Sequence, residues 1–145
     1  KKLKKKFVFE YCTTSKKNVL RGFHFQYKYQ QSKYVSVLKG KILDVVIDLR
    51  KNSRTFGKTF KILLSQSNAI SLFIPAGFGH AYYSFEKENI IYYKLNNYYR
   101  PRFESGIIYN DLNLKISWPK RRMKISEKDK NLMTLNTFKK TLKGL

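Results

Sequence analysis

The sequence predicts an all-β domain, a sandwich or barrel of short strands. Three observations carry that reading. Aromatic and β-branched residues gather in short runs, the runs recur at close spacing, and the gaps between them hold turn residues: KNSRTFGK, SQSN, PAGFG and EKEN. No long stretch shows a 3.6-residue apolar period, so a helical domain is excluded.

The elements follow in order. KKLKKK at the start reads as a helix end or an unstructured arm. FVFEYC, from Phe7, opens the first strand, and residues 18–26 (NVLRGFHFQ) set apolar side chains around one glycine. YVSVL and ILDVVIDL flank Lys39-Gly40, a spacing that predicts a β-hairpin. Residues 60–64, 71–75, 81–85 and 90–94 continue the strand pattern. After Ser117-Trp118-Pro119 the chain turns basic, and Ser126 can cap a short helix beginning near Glu127. This part reads as a short helical C-terminal extension packed on the barrel. No repeat or linker divides the chain, so residues 1–145 read as a single domain.

Composition removes several classes. With 42% hydrophobic and 28% charged residues the chain is neither a disordered tail nor a low-complexity repeat. No apolar run approaches the ~18 residues of a membrane span, and the basic start leads into no apolar signal region. Cys12 is the single cysteine and has no internal disulfide partner, which fits a reducing cytoplasm. The net charge of +22, from 31 basic against 9 acidic residues, attracts polyanions: nucleic acid, an anionic membrane or a diphosphate. Equally, it reflects a heavy use of lysine along the whole chain, with clusters at 1–6 and 120–124.

Candidate chemistry centres on the two histidines. His24 and His80 each stand in a glycine-flanked aromatic segment, RGFHFQ and PAGFGHAYY, and histidine is the usual acid or base near neutral pH. A metal site is not predicted: there is no H-x-H pair, and Cys12 stands alone. Glycine-rich phosphate loops, zinc-finger spacings and RNA-recognition signatures are missing as well. Tyr82, Tyr83, Tyr92, Tyr93, Tyr98 and Tyr99 crowd one region. Alternate tyrosines can cover a sheet face, stack on a sugar or base, supply a phenol proton, or form a single-strand nucleic-acid platform. Composition alone does not separate these.

The order of segments does. VLRGFHFQ, LKGKILDVVIDLRKNSRTFGK, LFIPAGFGHAYYSF, YYKLNNYYRP, GIIYND, ISWP and ISEKD together resemble the dTDP-4-dehydrorhamnose 3,5-epimerase family, over about residues 7–130. The resemblance implies a cupin-type jelly-roll barrel, a homodimer, and a cofactor-free, metal-free epimerase. Its substrate is a nucleotide-diphosphate-linked 4-keto-6-deoxy sugar, with protons removed and returned at C3, C5 or both. By motif position His24 resembles the family's base, and Asp129 the carboxylate that orients it. Lys33 resembles the lysine beside the keto oxygen, and Tyr93 the tyrosine that returns a proton from the opposite face. Arg21, His80 and Tyr99 resemble substrate-binding residues. No nucleic-acid or membrane partner is implied.

The chain departs from the family at Phe9 and Tyr11, which replace amides, and at Tyr109, which stands where tryptophan is usual. The resemblance starts near residue 7, so this reading expects the family's N-terminal segment to be missing. Two alternatives therefore accompany the epimerase reading: a related keto-sugar isomerase, or a truncated, inactive module that binds sugar nucleotides or polyanions.

Overall fold

The computed structural model describes residues 6–119 and 122–145, so the readings of residues 1–5 and of 120–121 lie outside the described residues. The chain forms strands β1 (Phe9–Lys16), β2 (Leu20–Gln26), β3 (Lys33–Lys39), β4 (Lys41–Asp48), β5 (Thr59–Ser65), β6 (Ser71–Ile74), β7 (Phe78–Ser84), β8 (Glu88–Leu95) and β9 (Glu104–Gly106). Helices α1 (Glu127–Lys130) and α2 (Leu135–Thr141) follow. The strands make two antiparallel sheets, ordered β1-β8-β3-β6 and β5-β4-β7-β2-β9. This is the expected all-β, cupin-type jelly roll.

The hairpin predicted at Lys39-Gly40 does not form. β3 and β4 are consecutive, yet they belong to different sheets. Gly40, at φ +83°, turns the chain from one sheet to the other, and a Cβ there would lie 2.5 Å from Asn89 Oδ1. Asn89 is buried and staples this corner. Its Oδ1 accepts from the N–H of Lys41 at 3.1 Å, and its Nδ2 donates to the carbonyls of Ser15 and Glu86. Val35 and Val37 of β3 consequently face Ile42 and Val46 of β4 across the interior instead of lying beside them. A turn dipeptide marks where the chain bends; it does not say which strand will pair.

Within the five-stranded sheet, β4 is buried on both faces. Ile42 and Val46 point to the interior between the sheets, while Val45, Ile47 and Leu49 point outward to a second cluster. That cluster also holds Phe23, Phe25, Ala81 and Ile107 and is covered by Leu135 and Phe138 of α2. ILDVVIDL is therefore a nearly unbroken apolar run because both sides of its strand are dry. Burying Leu135 and Phe138 contributes about 1.5–3 kcal/mol each.

Polar bonds hold the extension in place. Lys124 bridges to the start of β2, donating its N–H to Asn18 O and accepting from Leu20 N. Ser126 and Thr134 cap α1 and α2, and Asp111 Oδ2 accepts from Leu135 N at 2.6 Å.

The loop after β4 is ordered by Asp48. Its buried carboxylate accepts from the backbone and guanidinium of Arg50 and from the hydroxyls of Ser53 and Thr55. Burial alone would raise its pKa, but these donors together hold it far below the ordinary value of 3.8. Asp48→Asn should cost about 1–3 kcal/mol in thermal unfolding near neutral pH. The depressed native pKa makes this contribution full above pH 3.8, and it is lost as pH falls through the native value. The gap between parent and variant should therefore close in acid.

Candidate active site

A cavity of about 270 Å³ opens between the two sheets, lined among others by Arg21, His24, Lys33, His80, Tyr93, Tyr99 and Glu104. One wall comes from β2 and β7, the other from β1, β3 and β8. Side chains on the two walls thus approach any bound molecule from opposite sides.

A bulge in β2 aims the first wall. Arg21 pairs with Tyr82 of β7 and His24 with His80, so three steps along β2 match two along β7. Tyr82 and His80 share a sheet face because they are two residues apart, and the extra residue in β2 brings Arg21 and His24 onto that face as well. Gly22 occupies the bulge at φ +109°, where a Cβ would lie 2.4 Å from the carbonyl oxygen of His80. Only glycine fits so close an approach.

Asp129 reaches His24 from 105 residues away in sequence. The bridge from Lys124 to β2 places α1 against the strand, and the Ser126 hydroxyl accepts from Asp129 N at 3.1 Å. Asp129 is 2% exposed; its Oδ1 lies 2.7 Å from His24 Nε2, and its Oδ2 accepts from Gly22 N at 3.3 Å. Burial would raise the Asp129 pKa, but the bond to His24, the charge of that ring and the Gly22 N–H outweigh it and hold the carboxyl below its ordinary range. An ionised carboxylate only accepts, so His24 donates to it from Nε2, while Nδ1 lies 4.0 Å from Glu104 Oε1.

On the facing wall, alternation along each strand sends Lys33, Val35 and Val37 of β3 inward, together with Ile91, Tyr93 and Leu95 of β8. Tyr93 is 4% exposed. Burial, then the neighbouring Tyr82, Tyr11 and Asp44, raise its phenol well above 10, so it stays protonated through the neutral range. Lys33 is half-buried, and loss of hydration lowers its pKa against the opposing pull of Glu104 and Asp44.

The seven residues singled out from sequence thus meet in one place. Six line the cavity, and Asp129 stands behind His24, lining a hollow on the other side of the ring. His80 is itself paired, with Nε2 2.8 Å from buried Asp44 Oδ2. Tyr99 donates to Glu104 Oε2 at 2.9 Å.

Sequence reading missed Glu104. It lies 4.0 Å from His24 Nδ1, and it pairs with Lys128, a residue adjacent to Asp129. Burial would raise Glu104, but Lys128, Tyr99 and His24 hold it below its ordinary range. The available signal was rarity, since Glu104 is one of only 9 acids in the chain. Gln26, Gln31, Tyr11 and Tyr82 also line the cavity; none of them was singled out from sequence as a site residue.

Comparison with known proteins adds an independent finding. A family profile described as dTDP-4-dehydrorhamnose 3,5-epimerase matches residues 1–137. The enzyme of that name from Methanothermobacter thermautotrophicus is 42% identical over 132 residues, covering 89% of this chain and 71% of the relative. The Escherichia coli enzyme is also 42% identical over 132 residues, covering 90% and 71%. Among solved structures, a dTDP-6-deoxy-D-glucose-3,5-epimerase from Legionella pneumophila in complex with dTDP-4-keto-L-rhamnose superposes with a TM-score of 0.92 at 38% identity. That match covers 97% of this chain and 75% of that one.

The electrostatics of the cavity can be read directly. In lysine-selective NMR, one ammonium absent from Lys33→Arg should titrate below 10.5, and Glu104→Gln should lower it further by removing a stabilising negative charge. A Lys33 signal titrating at or above 10.5 would contradict the burial of its head group.

Proposed function

The chain belongs to the dTDP-4-dehydrorhamnose 3,5-epimerase family, and from that premise we propose how its cavity performs the epimerisation of a dTDP-linked 4-keto-6-deoxy sugar. The observation that carries the reading is the pairing of His24 Nε2 with Asp129 at 2.7 Å on one wall, opposite the protonated phenol of Tyr93 on the other.

Inverting a carbon beside a ketone needs a base on one face and a proton donor on the other. His24 Nδ1 takes the proton from the carbon next to the ketone, and Asp129 stabilises the imidazolium that results. Electrons move onto the keto oxygen, where the Lys33 ammonium supports the developing negative charge. Tyr93 then returns a proton from the opposite wall, and both groups recover their resting protonation by exchange with water at the cavity mouth. The same cycle serves C3 and C5 when the ring presents each in turn. Arg21 at the mouth suits a diphosphate through its planar fork of donors, while His80 and Tyr99 border the sugar.

Residues 1–145 act as one domain in this reading, and two copies join as a homodimer in the cytoplasm. The exposed apolar residues Phe60 and Leu63 on edge strand β5 support self-association, since open sheet edges with apolar side chains seek cover. Light scattering at moderate salt should report twice the chain mass; a stable monomer would remove the dimer from this account.

The chemical roles separate in deuterium oxide. His24→Ala should abolish solvent deuterium wash-in at C3 and C5, lowering it by at least ~10²–10⁴-fold. Tyr93→Phe removes only the hydroxyl and should permit wash-in by same-face exchange while net inversion collapses. Equal loss of wash-in and inversion in Tyr93→Phe would refute the division of labour between the two walls.

A further inference from the structure

We propose that Tyr11 is a positioning residue for the proton donor: its ring, stacked flat on Tyr93, fixes the direction in which that phenol faces the substrate. The inference rests on Tyr93 being the donor, as argued above.

Three observations carry it. First, β1 pairs with β8 in a register that sets Tyr11 directly across from Tyr93, with Phe9 opposite Leu95 and Thr13 opposite Ile91. Facing residues in an antiparallel pair project to the same side, so both tyrosines point into the cavity. Second, the two rings are stacked, with centroids 4.9 Å apart and planes 16° from parallel. His80 meets Tyr93 edge-on, with centroids 6.1 Å apart at 70°. The donor ring is therefore held between a face and an edge, and Tyr11 supplies the face. Third, Tyr11 lines the cavity while retaining 36% exposure on an edge strand. Burial of its hydroxyl end raises its pKa to about 12, so the ring on which the donor leans stays neutral.

The consequence is specific to the second half of the reaction. Deprotonation by His24 takes place on the other wall and does not depend on the orientation of Tyr93. Delivery of the proton to the opposite face does. If the stack is lost, the phenol can rotate away from the carbanion, and the enolate is then reprotonated from the His24 side more often. The quantity that reports this is the ratio of net inversion to deuterium wash-in, which a purely structural contribution to folding would leave unchanged.

The experiment measures this ratio for Tyr11→Phe, Tyr11→Leu and Tyr11→Thr with a dTDP-linked 4-keto-6-deoxy hexose in deuterium oxide, folding being checked by circular dichroism. Tyr11→Phe keeps the flat ring and should hold the ratio within about twofold of the parent. Tyr11→Leu and Tyr11→Thr remove it and should lower the ratio about fivefold, the scale on which one aromatic stack biases an orientation. Either non-aromatic variant suffices if the other does not fold. A parent-like ratio in the folded non-aromatic variant, or a loss in Tyr11→Phe as large as in that variant, overturns the proposal. Tyr93→Phe is measured alongside. If it keeps the parent ratio, the donor assignment itself fails; if it loses the ratio and the non-aromatic Tyr11 variant does not, only the role of Tyr11 fails.

Discussion

The bulge at Gly22 is the constraint on which the rest of the site depends. One extra residue in β2 brings Arg21 and His24 to the same face, and the close packing against the His80 carbonyl leaves no room for any side chain at that point. The same residue offers its N–H to Asp129, which in turn accepts from His24. A side chain at position 22 would thus disturb three things at once: the aim of His24, the aim of Arg21 beside it, and the seating of the Asp129 carboxylate. The bulge in turn depends on the C-terminal extension, because Asp129 reaches it only through the bridge between Lys124 and Val19 and the Ser126 cap.

A second dependence runs between the sheets. The jelly roll keeps consecutive strands β3 and β4 apart, on facing layers, and the cavity is the space they leave. His24 belongs to the layer that the extension covers, and Asp129 to the extension itself; Lys33, Tyr93 and Tyr11 belong to the other layer. The two opposed walls of the cavity are thus a property of the architecture before they are a property of any residue, and the aromatic contacts along β1 and β8 refine them.

Much of this was legible in the sequence, for identifiable reasons. Strand content followed from β-branched and aromatic runs, and the Ser126 cap from a serine three residues before Asp129. The histidines stood out by their scarcity and their glycine neighbours, and the ordered segments supplied their roles. What failed was pairing. Lys39-Gly40 is a good turn, but the choice between a hairpin and a crossover is made by Asn89, remote in sequence, and by an interior shared with distant strands that sets Val35 and Ile42 in facing sheets. Glu104 was marked only by the scarcity of acids, because its place arises from β9 lying against β2 and from contact with Lys128, neither of which leaves a local pattern. Tyr11 read only as a departure from a familiar motif; its stack on Tyr93 needs the β1–β8 register.

Charge scarcity ties these threads together. The chain carries a net +22, yet each of its four aspartates is buried. Asp48 orders a loop, Asp111 holds the start of α2, Asp44 meets His80 and Asp129 meets His24. Removing a carboxylate from water costs several kcal/mol unless hydrogen bonds replace the lost hydration. Such positions are therefore kept where the partner repays the cost, either in fold or in chemistry. The lysines work differently: mostly exposed among the described residues, they contribute little as individual pairs but sum to a positive field that attracts anions and weakens with salt. Long-range attraction is thus supplied by a composition that needs no particular arrangement. Specific contacts are left to the few buried acids and aromatics.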